Sequence, residues 1–309
     1  MTQIPPLHKG AKIGVIAPAG RIKTGELDFA QSWCQAQGWT LQIPNGIYAK
    51  YDLGYWYAGP SEHRLQLTQS VLDDTSLAAI WCARGGYGSV QIIDALDFSQ
   101  FKKQPKYLIG YSDITVFHNH LNNLGIPTLH AVTAKPLNTK YSPETYQSLI
   151  DALRGKALKY HLPSDPLNIL GEAKGKLVGG NLSIIYSQLG SQTAIQGEDL
   201  ILFIEDWYEN WYHIDRMLEG LKRSGLFHRV RGLICGSFTK MDIEEENPFY
   251  NHDFDPVANQ VIHQQVKSLG IPVAFNFPAG HFGDNRALIM GAEVSFKVLE
   301  QNTILEFLD

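Results

Sequence analysis

Residues 1–135 repeat one pattern: a short apolar run, a stop rich in glycine, then apolar residues at helical spacing. KIGVIA at Lys12–Ala17 halts at Pro18-Ala-Gly20, and Glu26–Gly38 follows with Leu27, Ala30, Trp33 and Cys34 spaced for one helix face. LAAIWC at Leu77–Cys82 halts at Ala83-Arg-Gly-Gly-Tyr-Gly88, and Ser89 stands where it caps an expected helix over Val90–Leu96. Tyr107–Ile109 is a third strand, and Asp113–Leu124 a helix that ends at Gly125. Wholly apolar strands are buried on both faces, so this alternation predicts a parallel α/β sheet flanked by helices.

The second half reads differently. Residues 136–167 carry prolines, charge and one short helical pattern, and are expected to connect two domains. Beyond them, strands are expected at Lys176–Leu177, Leu200–Ile204 and Gly232–Cys235, and a helix over Asp206–Leu221. Met290–Leu308 alternates as a β-rich tail, and Met241–Pro256 reads as a surface loop. The expected organisation is therefore an α/β domain over 1–135, a linker over 136–167 and a smaller, β-rich α+β domain over 168–309.

Length and composition suit this plan. The 309 residues are 44% hydrophobic and 18% charged, with a formal charge of −5. That balance, with only scattered Lys and Arg, gives no footing for nucleic acid. No apolar run reaches membrane-spanning length, and the first residues lack a basic segment before an apolar one. Cys34, Cys82 and Cys235 are odd in number and far apart, which predicts reduced thiols and a cytoplasmic protein.

Four places could carry chemistry. Ser112 follows a buried strand and precedes a helix, at the sheet end where open α/β folds place their sites. It is either a helix cap or a nucleophile, with the Asp113 N–H free to stabilise an oxyanion. The glycine loop at 83–89 could bring backbone donors to a ligand, or be a plain turn. Glu205 and Asp206 close an apolar strand on opposite faces, so one can face a site while the other caps the helix beginning at Trp207. His281, between Gly280 and Gly283 in Pro278–Asn285, is suited to proton transfer near neutral pH. His118 and His120 lie two apart on a helix, no zinc spacing occurs, and neither the dinucleotide nor the P-loop pattern is present. Neither a metal nor a cofactor is expected.

Six segments together resemble one family: IGVIAPAG at 13–20, ARGGYGS at 83–89, IGYSDIT at 109–115, GKLVGGNLSII at 175–185, LFIED at 202–206 and PAGHFGDNRALIMG at 278–291. The chain resembles the LD-carboxypeptidases, serine peptidases of the muramoyl-tetrapeptide carboxypeptidase and microcin C immunity protein type. The resemblance implies a flavodoxin- or class I amidotransferase-like first domain and a site at the domain interface. It implies Ser112 as nucleophile, His281 as general base and Glu205 as the acid orienting it, with an oxyanion hole from the backbone of Asp113 and Gly86. The implied substrate is a cytoplasmic murein tetrapeptide that loses its terminal D-alanine during cell-wall recycling, and the implied assembly a homodimer. Arg84 is a candidate for the substrate carboxylate or for a structural ion pair, and Trp207 for the pocket wall or the core. The alternatives are a related peptidase acting on a peptidyl-nucleotide antibiotic, a non-catalytic binding relative, and a thiol amidotransferase using Cys82. One departure from many relatives, Leu288-Ile-Met-Gly291 after the histidine, touches a strand and not the triad.

Overall fold

The computed structural model describes residues 2–135, 141–242 and 247–308. Its first sheet has six strands in the order Leu288–Met290, Thr128–His130, Tyr107–Gly110, Ala79–Cys82, Lys12–Ile16 and Thr40–Gln42. The five from the first domain run parallel, and Leu288–Met290 joins the edge antiparallel to Thr128–His130. From Lys12–Ile16 the chain steps outward to Thr40–Gln42, then crosses back to Ala79–Cys82 on the other side. This reversal opens a crevice at the carboxyl ends of the central strands, and the glycine loop at 83–88 lies there.

The second sheet has seven strands and mixed direction. Gly171–Asn181, Leu200–Trp207, Val230–Thr239 and Val273–Ala274 run parallel, while Glu293–Val298, Asn302–Phe307 and Lys159–Pro163 extend the other side antiparallel. The hairpin at the end follows from its alternation, with Val294, Phe296, Val298, Leu305 and Phe307 all buried. The expected linker contains a helix, Pro143–Leu153, and the strand Lys159–Pro163 of this second sheet, while its residues 136–140 lie outside those described. The expected loop at Met241–Pro256 likewise includes 243–246, outside the described residues.

One apolar cluster runs through both domains, from Ile13, Trp81 and Ile109 to Phe203, Phe277 and Phe296. The two sheets therefore share a dry core rather than a hinge lined with solvent. No helix among the described residues is long and apolar enough to cross a membrane.

Two expected helices change. Val90–Leu96 forms only two short 3-10 turns, Ser89–Gln91 and Ile93–Ala95. Tertiary partners claim its start: Asp113 accepts the Ser89 N–H at 2.9 Å, and Arg64 donates to the Gly88 carbonyl at 2.8 Å. The helix expected from Asp206 begins at Trp211, because the strand before it continues to Trp207. Val230–Thr239 extends that ladder on one side, pairing Asp206 with Phe238 and Trp207 with Thr239, and propensity yields to pairing.

Candidate functional site

The segment Lys106–Leu121 explains its own bend. Tyr107–Gly110 is wholly buried, and an added Cβ at Gly110 would meet Ile114 at 2.9 Å, so only glycine lets the following turn fold back so closely. Ser112 then takes φ 66°, a left-handed conformation unfavourable for a serine. Strain of this kind costs about 1–3 kcal/mol and persists where surrounding structure enforces it. Ser112 starts a 3-10 turn to Ile114 that runs into the helix Thr115–Asn123, and among the described residues no side chain caps the start of either. Its hydroxyl faces a pocket of about 380 Å³.

The glycine loop closes over this serine. A Cβ on Gly85 would lie 2.9 Å from Ser112 Cβ and 3.1 Å from its Oγ, so the loop backbone touches the Ser112 turn. Gly86 follows at φ 111°, a conformation that glycine adopts without strain. Among the described residues neither the Asp113 nor the Gly86 N–H meets a protein acceptor. Arg64 holds the loop from below, donating to the carbonyls of Pro18, Gly59 and Gly88 and to Gln91. The Asp113 carboxylate, which sequence reasoning set aside in favour of its N–H, binds the other end at Ser89. Burial pushes that carboxyl up to about 6 against the lowering effect of these hydrogen bonds.

The second domain supplies an acid and an imidazole. Glu205 is fully buried, and its Oε2 lies 2.6 Å from His281 Nδ1. A carboxylate can only accept, so Nδ1 carries the hydrogen and Nε2 keeps its lone pair. Burial pulls His281 down, but the charge and hydrogen bond of Glu205, with Asp206 behind it, outweigh this and raise it above its ordinary value. A register shift in the ladder opposite Glu205, where Ile204 pairs Cys235 but Asp206 pairs Phe238, bulges the neighbouring strand at Gly236-Ser237. Ser237 Oγ accepts the His281 backbone N–H at 2.8 Å. Gly280 has no room for a side chain, since a Cβ would sit 2.3 Å from Ser237 Oγ and 3.0 Å from Glu205. The histidine loop is thus pinned, and the imidazole is only 15% exposed.

Asp206 faces the other way, as alternation requires, but caps a different helix from the one expected. Its carboxylate accepts from Asn181 Nδ2, the Ser183 N–H and the Trp207 N–H, each at 2.8 Å, and so closes the start of Leu182–Ser187. Burial, then the nearby Glu205 and Glu209, push it up to about 7.

Arg84, Gly85, Gly86, Ser112, Asp206, Trp207 and His281 all line the one pocket. Asp113 lies beneath it, buried. Trp207, partly exposed, stacks on the His281 ring at 5.9 Å and on Tyr208 at 5.1 Å. Arg84 donates to the Arg21 carbonyl at 3.1 Å, and among the described residues no acid pairs with it. Cys82 is buried, its thiol pushed well up by burial, so it offers no thiolate. His118 bonds Thr128 and the Gly110 carbonyl and is structural. Gly85, Ser237 and Arg64 escaped the sequence reading. Only the glycine doublets hinted at the first, whereas the bulge and the arginine's four partners are products of the fold.

A serine in left-handed backbone, two unpaired N–H groups and an imidazole oriented by a buried acid constitute the equipment for acyl transfer. The profile of the LD-carboxypeptidase N-terminal domain matches residues 13–131, and that of the C-terminal domain residues 174–296. The chain belongs to the LD-carboxypeptidase family. It is 33% identical over 309 residues to a probable murein peptide carboxypeptidase of Bacillus subtilis, covering 97% of this chain and 93% of that one. It is 28% identical over 300-odd positions to the murein tetrapeptide carboxypeptidase of Pseudomonas aeruginosa, covering 95% and 94%. The microcin C7 self-immunity protein MccF, solved in complex with aspartyl sulfamoyl adenosine, shares the fold at a TM-score of 0.84 and 20% identity, covering 100% and 99%. Family membership makes this chain a serine-type carboxypeptidase.

Proposed function

We propose that this LD-carboxypeptidase releases the terminal D-alanine from murein tetrapeptides through Ser112, Glu205 and His281. The observation that carries the reading is the Glu205–His281 pair at 2.6 Å opening on the same pocket as the left-handed Ser112. Ser112 Oγ attacks the carbonyl carbon of the third residue while His281 Nε2 takes its proton. The oxyanion rests on the Asp113 and Gly86 N–H groups; losing one such donor typically costs about 3–4 kcal/mol of barrier. Collapse breaks the C–N bond, His281 returns the proton to the departing amine, and water then releases the acyl group by the mirrored steps. Arg84, without an acidic partner among the described residues, receives the carboxylate of the leaving D-alanine.

Among the described residues no hydrogen bond joins Ser112 to His281. Catalytic hydrogen bonds often tighten only with substrate in place, so bound peptide is expected to complete this one. The family reading also carries a cytoplasmic location and a homodimer, the latter testable by sedimentation at working concentration.

A second reading rests on Trp207, which lines the pocket beside His281 and leaves part of its indole exposed for a nucleobase to pack against. The experiment is to incubate the protein and Ser112→Ala with a murein tetrapeptide and with a peptidyl-adenylate mimic. D-Alanine release from the tetrapeptide by the wild type alone is the expected result. Turnover of only the mimic would overturn the murein reading, and equal turnover by Ser112→Ala would overturn the triad.

A further inference from the structure

The nucleophile and its base come from different domains, and a buried hydrogen bond ties the nucleophile's helix to the strand that flanks Glu205. Thr115 lies one helical turn beyond Ser112, at the start of the helix Thr115–Asn123. It is fully buried, and its Oγ1 accepts the backbone N–H of Asn181 at 3.0 Å. Asn181 ends the strand Gly171–Asn181 and is the ladder partner of Glu205. The preceding Gly180 takes φ 134°, and a Cβ there would stand 2.5 Å from Thr115 Oγ1. Glycine at that position is what lets the strand end reach the threonine.

From this geometry we infer that Thr115 is a positioning residue for the reaction. The path is short and continuous: Ser112, one turn of helix, Thr115 Oγ1, the Asn181 N–H, the ladder to Glu205, and Glu205 to His281. Among the described residues Ser112 and His281 make no hydrogen bond of their own, so their relative placement rests on this contact together with packing such as that of the Tyr111 ring on His281 at 4.8 Å. Thr115 touches neither substrate nor the reacting atoms; it fixes where the nucleophile stands relative to the base. The inference rests on the triad proposed above, and its test separates the two.

The decisive variant is Thr115→Val, which keeps the branched shape and removes only the accepting oxygen. The control is Thr115→Ser, which restores the oxygen on a smaller side chain. In Thr115→Val, kcat for tetrapeptide hydrolysis should fall by about 10- to 100-fold while KM stays within about threefold, as expected for misplaced reacting groups. The acidic limb of the pH profile should stay in place, because the Glu205–His281 pair is intact. Thr115→Ser should recover most of kcat. The rate of Ser112 phosphonylation by a small fluorophosphonate is the second readout: the serine oxygen bonds phosphorus, fluoride leaves, and His281 takes the proton. It needs the Ser112–His281 geometry but no murein recognition, and should fall in parallel with kcat.

If the wild type reacts with the fluorophosphonate but not with the tetrapeptide, the substrate reading fails and the Thr115 inference is still judged on labelling. The inference is overturned if Thr115→Val, folded by circular dichroism, keeps wild-type kcat and labelling. It is also overturned if Thr115→Ser is as impaired as Thr115→Val, or if the loss merely tracks the unfolded fraction. Absence of labelling in the wild type would remove the triad and this inference together.

Discussion

Two strand ends meet at the pocket, and they are built in opposite ways. At Gly110–Ser112 the device is backbone: a glycine that admits Ile114, a serine at φ 66°, and a glycine loop pressed on it. At Ile204–Asp206 the backbone is regular strand, and the device is side-chain burial: Glu205 has one oxygen on His281 and the other, Oε1, without any hydrogen-bond partner among the described residues. On the proposed mechanism the first end presents an atom that must move toward substrate. The second holds a charge whose effect depends on the absence of water. Strain suits the one and desolvation the other.

The contrast can be broken at either end. Ser112→Ala should remove the largest share of activity, about 10⁴-fold or more in kcat, with the fold retained, as measured by D-alanine release and thermal melting. At the other end, Glu205→Gln should cost about 10³- to 10⁴-fold by losing the tautomer and the charge that orient His281. Its pH behaviour sharpens the point. His281 is raised above 6.5 because Glu205 outweighs burial. With a neutral amide the downward pull of burial is opposed only by the lesser effect of Asp206, so the acidic limb of kcat/KM should move to lower pH. The same linkage governs stability. A raised folded value means that the pair stabilises fully below 6.5 and loses that contribution as pH rises through the folded value. Melting temperature against pH should lose this slope in Glu205→Gln; an unchanged slope would place the coupling elsewhere.

Gly85→Ala tests the backbone device without altering any chemical group. Its φ is not in the left-handed region, so alanine is tolerated by the backbone, but the new methyl meets Ser112 Cβ at 2.9 Å. A loss of about 10²-fold in kcat with little change in melting temperature is expected, since small displacements of a reacting atom have effects of that size. The smallest effect concerns strain itself. Ser112→Gly should be more stable than Ser112→Ala by about 1 kcal/mol, because glycine relieves the left-handed conformation and alanine does not. Equal stability in denaturant titrations would mean that the turn is not strained.

Legibility differed between the same two ends. The IGYSDIT turn was readable because its parts are consecutive, and the strand, the stop and the helix all appear where spacing put them. The acid pair was readable as a place but not as roles: Asp206 was expected to cap the helix that follows and instead closes Leu182–Ser187, more than twenty residues earlier. Ser89 was expected to begin a helix, and the Asp113 carboxylate and Arg64 tie that segment to the nucleophile turn instead. Each departure has one cause, a partner distant in sequence that took a hydrogen-bonding group local patterning had assigned elsewhere.

By itself the sequence determined the parallel α/β half, the glycine stops, and the chain order of the serine, the acid and the histidine that meet at the pocket. Period and turn chemistry act over a few residues, so they are written in consecutive letters. The tertiary structure alone decided that Glu205 and not Asp206 meets His281, that a bulge turns Ser237 to hold the histidine loop, and that Thr115 reaches Asn181 across the domain boundary. These are questions of register and of which buried groups find each other, and they are settled only when two sheets pack on a shared core.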